Sequence, residues 1–331
     1  MTETKTKLRI VFFGTADFAV PSLESLAEAG HEILAVVSQP DKPQGRGMQL
    51  AASPVKKAAE RLGLPVLQPR RVRAASFVEK MRLMQPDVLA LAAFGQIIPQ
   101  DLLDIPPLGP INVHGSLLPK YRGAAPVQRA IMAGDAETGV TTMRMEAALD
   151  TGDMLLKAAL PIGPDDTSGT IFPKLAELGA KLLLETLDGL ARGTIARIPQ
   201  DDLEATLAPM ITPADSVLDW NETANAIDCR IRGLSPKPGV FAVIEAGGQT
   251  KRVKIWNLKP ARIETDLATD AEPGTLLAIE KNSEAPSGLL VAAGGGTAAR
   301  LLEMQPENGR RMAATDWARG LRLLPGARFQ S

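Results

Sequence analysis

The chain has 331 residues, 45% hydrophobic and 23% charged, with a formal net charge of −1. That length points to two domains and that composition to a folded globular protein, excluding disorder, while no apolar run reaches membrane-spanning length. One cysteine, Cys229, and two histidines, His31 and His114, exclude a disulfide framework and a cysteine- or histidine-rich metal site. The short polar start, residues 1–8, predicts neither a signal nor a transit peptide and a cytoplasmic location.

In chain order, residues 8–13 predict a buried strand and residues 21–29 a helix, closed by Gly30 where a left-handed cap is wanted. Residues 33–37 form the next strand of a βαβ unit. Helices at 55–62 and 77–84 alternate with apolar runs at 65–67, 88–93 and 111–113, so a parallel, Rossmann-like sheet with helices on both faces is expected. A further helix follows the side-chain oxygens of residues 165–168, with Leu175, Leu178, Leu182 and Leu190 along its apolar stripe. Residues 194–213 are irregular. A short helix at 225–231 then precedes strand-like runs at 241–244, 253–258, 275–279, 289–292 and 298–304, the spacing of a small all-β barrel or sandwich. The expected division is a catalytic domain over 1–193, a linker over 194–210 and a β-barrel domain over 211–331.

Two glycine-bearing segments are candidate phosphate loops. Gly14-Thr15-Ala16-Asp17-Phe18 lacks the three spaced glycines of a dinucleotide fingerprint, which weighs against a nicotinamide enzyme. Gly294-Gly295-Gly296 lies between β-like runs and predicts a turn. His31, at a helix end, is assigned no role.

The segment Asn112-Val113-His114 ends a strand. Alternation points Asn112 and His114 to one side, where a carboxamide and an imidazole suit an oxygen acquiring charge during acyl or formyl transfer; a buried structural pair is the alternative. Leu149-Asp150-Thr151-Gly152-Asp153 offers two carboxylates, either able to orient His114 or carry a proton, or else forms a plain turn. The residues by themselves leave both choices open.

Asn112-Val113-His114-Gly115-Ser116-Leu117-Leu118-Pro119, then Tyr121-Arg122-Gly123-Ala124-Ala125-Pro126, then Leu149-Asp150-Thr151-Gly152-Asp153 resemble, in this order, the folate-dependent formyltransferase family. The resemblance implies a catalytic trio of Asn112, His114 and Asp150. It also implies 10-formyltetrahydrofolate as co-substrate, with Ser116, Leu117, Leu118 and Pro119 lining the reduced-folate pocket, and no metal. It covers essentially the whole chain for the branch of the family that acts on methionyl initiator tRNA, with Gln39-Pro40-Asp41-Lys42-Pro43-Gln44-Gly45-Arg46-Gly47 as the discriminating loop. The implied function is formyl transfer to the α-amine of that tRNA, for translation initiation. The implied tRNA contacts are Lys42 and Arg46, with Lys251, Arg252, Lys254, Arg310 and Arg311 on a barrel resembling an oligonucleotide-binding fold. Ala16, Phe94 and Met210 depart from the family pattern. The rival functions are a formyltransferase with a small amine acceptor, a purine precursor or nucleotide sugar, and a non-catalytic RNA-binding protein.

Overall fold

A computed structural model describes residues 7–44, 49–261, 271–280 and 287–330. The chain forms two compact units, the first built from Met1–Pro126, Glu137–Pro161 and Phe172–Pro209, the second from Val127–Ala136, Ile162–Ile171 and Met210–Ser331.

The first part of the chain runs β1 (Arg9–Gly14), α1 (Val20–Glu28), β2 (Glu32–Val37), β3 (Lys42–Gln44), β4 (Gln49–Ala51), α2 (Pro54–Arg61), β5 (Val66–Leu67), α3 (Ala75–Met84), β6 (Val88–Ala92), α4 (Gln100–Leu103) and β7 (Pro110–His114). It continues through α5 (Pro126–Ala133), β8 (Glu137–Arg144), β9 (Met154–Pro161) and α6 (Ser168–Arg192). One sheet has the strand order β5-β2-β1-β6-β7-β8-β9. The expected parallel pairing holds from β5 to β7; β8 and β9, for which the sequence reading gave no strands, then run antiparallel. Strand order reverses between β1 and β6, so the crevice beyond their carboxyl ends is a topological switch point.

Local chemistry accounts for the element ends. Gly30 closes α1 at φ +81°, and Ser53 caps α2 by accepting the Lys56 amide, with Pro54 at the first helical position. Core residues on one face of the sheet include Val11, Phe13, Leu89 and Leu91, which pack with Phe77, Val78 and Met81 of α3. Phe13 meets Phe77 and Phe94 edge-on, with ring centres 6.5 and 5.2 Å apart. Along α6, Gly179 is required by a close approach: a Cβ there would stand 2.7 Å from a methyl of Val113 in β7.

The second unit contains α7 (Ala224–Leu234), β10 (Val240–Ala246), β11 (Gln249–Ala261), β12 (Leu276–Glu280), β13 (Gly288–Ala293), β14 (Thr297–Pro306), β15 (Met312–Ala313), α8 (Ala314–Leu321) and β16 (Phe329–Gln330). Its sheet is antiparallel in the order β12-β13-β14-β11-β10-β16, with β15 on β14. The two edges meet: Thr275 bridges Arg328, and the Phe329 amide donates to the Gly274 carbonyl at 2.8 Å. The sheet therefore curls into a small barrel, the arrangement expected from the short, evenly spaced runs. Gly295 and Gly296, both at positive φ, make the β13–β14 turn. In the core Phe329 stacks on Trp317 and meets Trp220 at a tilt, with ring centres 6.1 and 5.6 Å apart.

Candidate functional site

Strand β7 ends at His114, whose ring is buried at 6% exposure. Asn112, two residues earlier and so on the same face of the strand, is half-buried. The Nε2 atom of His114 lies 2.9 Å from the Tyr121 carbonyl oxygen. A carbonyl only accepts, so Nε2 carries the proton of that bond, and Nδ1 is the nitrogen left for chemistry. Nδ1 stands 3.7 Å from Oδ2 of Asp150, an ion-pair distance when the ring is protonated.

Asp150 occupies a left-handed backbone position at φ +53°, one that aspartate tolerates better than most side chains. Its Oδ2 accepts the Gly123 amide at 2.9 Å. Asp150, the carboxylate that the family resemblance implied, thus faces the imidazole; the backbone carbonyl of Asp153 accepts the Arg144 amide. Gly123 itself sits at φ +127°, where an added Cβ would be 2.7 Å from the Ala208 carbonyl oxygen.

The expected linker is tied to this site. Residues 198–208 of the first unit bond along its edge: Ile198 exchanges hydrogen bonds with Met154, the Arg122 amide donates to Thr206 and the Ala208 amide to Arg122. Gln200 is the side chain that sequence reasoning missed. Its Nε2 donates to the carbonyls of Asp150 and Gly152, both at 2.8 Å, and its Oε1 accepts from Arg122 Nε at 2.9 Å.

Downstream of His114, Ser116 is fully buried and donates to the Lys120 carbonyl at 2.6 Å. Leu118 is fully buried against Met143 and Met154, and Pro119 is buried too. A ligand beside this stretch would therefore meet its backbone and the half-buried Leu117. A flat ring with polar edges and apolar faces fits such a lining. The departure at Phe94 falls in the core, its ring edge-on to Phe13 and its carbonyl accepting from Thr15 and Gln39.

Of the expected tRNA-contacting loop, Lys42 donates from Nζ to Gln39 at 2.7 Å, and Arg46 lies outside the described residues. The base of the loop is anchored: Asp41 accepts from Lys56 and Gln68, bonds that hold its carboxyl below the usual range.

On the barrel, period two divides the cations of β11. Val253 and Ile255 point into the core, so Lys251 belongs to their side of the strand, while Arg252, Lys254 and Trp256 share the outer one. Arg252 lies 4.1 Å from the ring centre of Phe241, Lys254 Nζ 3.9 Å and Arg311 4.9 Å from that of Trp256. Burial, then the nearby charges of Lys237 and Arg311, push the Lys254 ammonium below its ordinary range. Three of the five expected barrel cations thus form one cation–aromatic row. Lys251 is turned away from it, and Arg310 is exposed outside it. Phe241 and Trp256, which organise the row, were missed, although Arg252, Lys254 and Trp256 recur at period two in the sequence.

His31 accepts the Leu8 amide at 3.3 Å, a structural bond. Burial raises the Cys229 thiol. Among the described residues no group of three or more His, Cys, Asp or Glu is placed to hold a metal ion, and no helix is long and apolar enough to cross a membrane.

Comparison with known proteins bears on the same residues. The chain is 49% identical over 314 residues to a methionyl-tRNA formyltransferase of Koribacter versatilis, covering 95% of this chain and 96% of that protein. It is 44% identical over 323 residues to one of Geobacter metallireducens, covering 97% and 98%. The N-formyltransferase from Helicobacter canadensis, solved in complex with folinic acid and dTDP-3-aminofucose, shares the fold with a TM-score of 0.62 at 16% identity, over 91% of this chain and 100% of that one. The family model described as formyl transferase matches residues 8–187, and that of the formyl transferase C-terminal domain matches residues 210–322. With the site at the end of β7 inside the first match and strands β10 to β15 of the curled sheet inside the second, the chain belongs to the formyl transferase family.

Proposed function

We propose that this chain transfers the formyl group of 10-formyltetrahydrofolate to the α-amine of methionyl initiator tRNA, giving formylmethionyl-tRNA for translation initiation. The observation that carries the reading is the end-to-end similarity to relatives named for that reaction, 95% of this chain at 49% identity in one case. The domain division follows the same reading, with catalysis over residues 1–193, a linker over 194–210 and tRNA contact over 211–331. The expected compartment is the cytoplasm.

Bound 10-formyltetrahydrofolate supplies the formyl carbon: a bond from the amine nitrogen to that carbon forms, the bond to the folate nitrogen breaks, and the amine proton replaces it there. The chain's part is electrostatic and positional. The Asn112 carboxamide and a protonated His114 Nδ1 donate to the formyl oxygen as it gains negative charge, the moment at which fixed donors act most strongly. Asp150, held by Gly123 beside that nitrogen, takes the amine proton through water and passes it to the departing folate nitrogen. The reduced folate lies against the stretch from Ser116 through Leu117 and Leu118 to Pro119. Lys42, Arg46 and the Arg252–Lys254–Arg311 row bind RNA phosphates; Lys251, on the other side of β11, and Arg310 lie outside that row. Both substrates being held together supplies a further share of the acceleration.

The test is formyl transfer to methionyl initiator tRNA run beside glycinamide ribonucleotide and an amino-sugar nucleotide as acceptors. Product on the charged tRNA alone is expected. Product only on a small acceptor would reassign the substrate, and RNA binding without turnover would remove the enzymatic reading.

A further inference from the structure

In the stretch from residue 196 to residue 204, Gln200 is the one residue not exposed. Its amide is placed in a single orientation. Nε2 faces two carbonyl oxygens, those of Asp150 and Gly152, and Oε1 faces the Nε–H of Arg122. The reversed amide would set oxygen against two oxygens and nitrogen against a donor. Arg122 is in turn held at its backbone and by burial: it is 8% exposed, its amide and carbonyl bond to Thr206 and Ala208, and its NH2 group lies 2.9 Å from the exposed Asp202 carboxylate, an ion pair without hydrogen-bond geometry.

The turn that Gln200 grips has one residue in a conformation that costs free energy and one in a crowded place. Asp150 is left-handed, and Gly152 passes so near Arg144 that a Cβ would lie 1.9 Å from its carbonyl oxygen. Such a backbone persists only where its surroundings over-determine it. Two restraints act on Asp150 from one place: the Gly123 amide on its carboxylate and, through Arg122, the Gln200 amide on its carbonyl.

We infer that Gln200, anchored by Arg122, is a positioning residue that holds the 150–152 turn so that the Asp150 carboxylate faces His114. The inference rests on the proposed role of Asp150. Gln200 acts through that carboxylate and touches neither substrate, so its loss lowers turnover and leaves substrate affinity in place.

The experiment is a double-mutant cycle on the full chain, with Gln200→Met, which keeps the length of the side chain and removes its three hydrogen bonds, alone and with Asp150→Asn. The expected result is a fall in kcat of about tenfold or more for Gln200→Met, KM for folate and tRNA within about twofold, and less than about twofold further loss when Asp150→Asn is already present. Arg122→Lys, which removes the Nε fork and keeps the charge, reproduces the pattern and is read in the same cycle should Gln200→Met fail to fold. An undiminished kcat, a loss carried by KM, or an equal loss in the Asp150→Asn background would overturn the inference while leaving the role of Asp150 intact. Asp150→Asn with wild-type turnover would overturn that role and this inference with it.

Discussion

His114 and Asp150 face each other across 3.7 Å, imidazole Nδ1 to carboxylate Oδ2, although 36 positions separate them in the chain. The gap is longer than a hydrogen bond and leaves Nδ1 as the donor for an incoming oxygen. Replacing His114 with Ala should therefore lower kcat on the order of a hundredfold or more, with folate affinity little changed. Single-turnover formylation alongside equilibrium folate binding checks this. A parallel loss of folate binding would mean that the ring is structural.

Gly123 should not accept a side chain. At φ +127° with the Ala208 carbonyl 2.7 Å from a Cβ position, Gly123→Ala has to displace the amide that bonds Asp150. We expect a loss of roughly 1–3 kcal/mol in unfolding free energy, accompanied by reduced kcat. Denaturant melts and initial rates measure the two, and an unaltered melt would show that residue 208 yields freely.

The second unit has an acid-sensitive anchor. Asp215 bonds to Arg129, its largest stabiliser, and to Thr212, which lower its carboxyl from 3.8 to about 2. A depressed folded-state pKa gives stability that is whole above the unfolded value and is lost as pH falls through the folded one. Asp215→Asn should cost roughly 1–2 kcal/mol near neutral pH, partial solvent screening included. That difference from wild type should shrink as pH drops from about 5 towards 2. Urea melts of both proteins across that range provide the check; a difference independent of pH would point to packing.

For RNA, the outer row of β11 should matter and Lys251 should not. Arg252→Ala, Lys254→Ala and Arg311→Ala should each weaken tRNA binding and reduce the slope of log K against log salt by about 0.7–0.9 for each phosphate left without its cation. Trp256 has cations on its ring at 3.9 and 4.9 Å, so Trp256→Ala should act through them, by about 0.5–1 kcal/mol. Filter binding at several salt concentrations compares these with Lys251→Ala; equal effects from Lys251 would spread the RNA-binding surface over both faces.

Much of this molecule was legible along the chain because its signals are local. The run of buried residues from Ile10 to Phe13, the left-handed Gly30 and the Gly295–Gly296 turn depend on near neighbours, and each element formed where those signals lie. His114 stood out as one of two histidines, and Asn112 shares its strand face by alternation. Strands β8 and β9 were less visible, since β8 is buried along nearly its whole length and carries no alternation to mark it.

What only the tertiary structure decided is which distant groups meet. Asp150 and Asp153 offer the same carboxylate in one turn; the family resemblance named the first, but its meeting with His114 and the bond from Gln200, 50 positions away, to its carbonyl belong to the tertiary structure. Lys251 and Arg252 are neighbours in sequence with the same charge, and the barrel wall sends them to opposite sides. Local propensity depends on a few adjacent residues and is written in their order; the pairing of side chains depends on chain closure across tens of residues, which no short window of sequence contains.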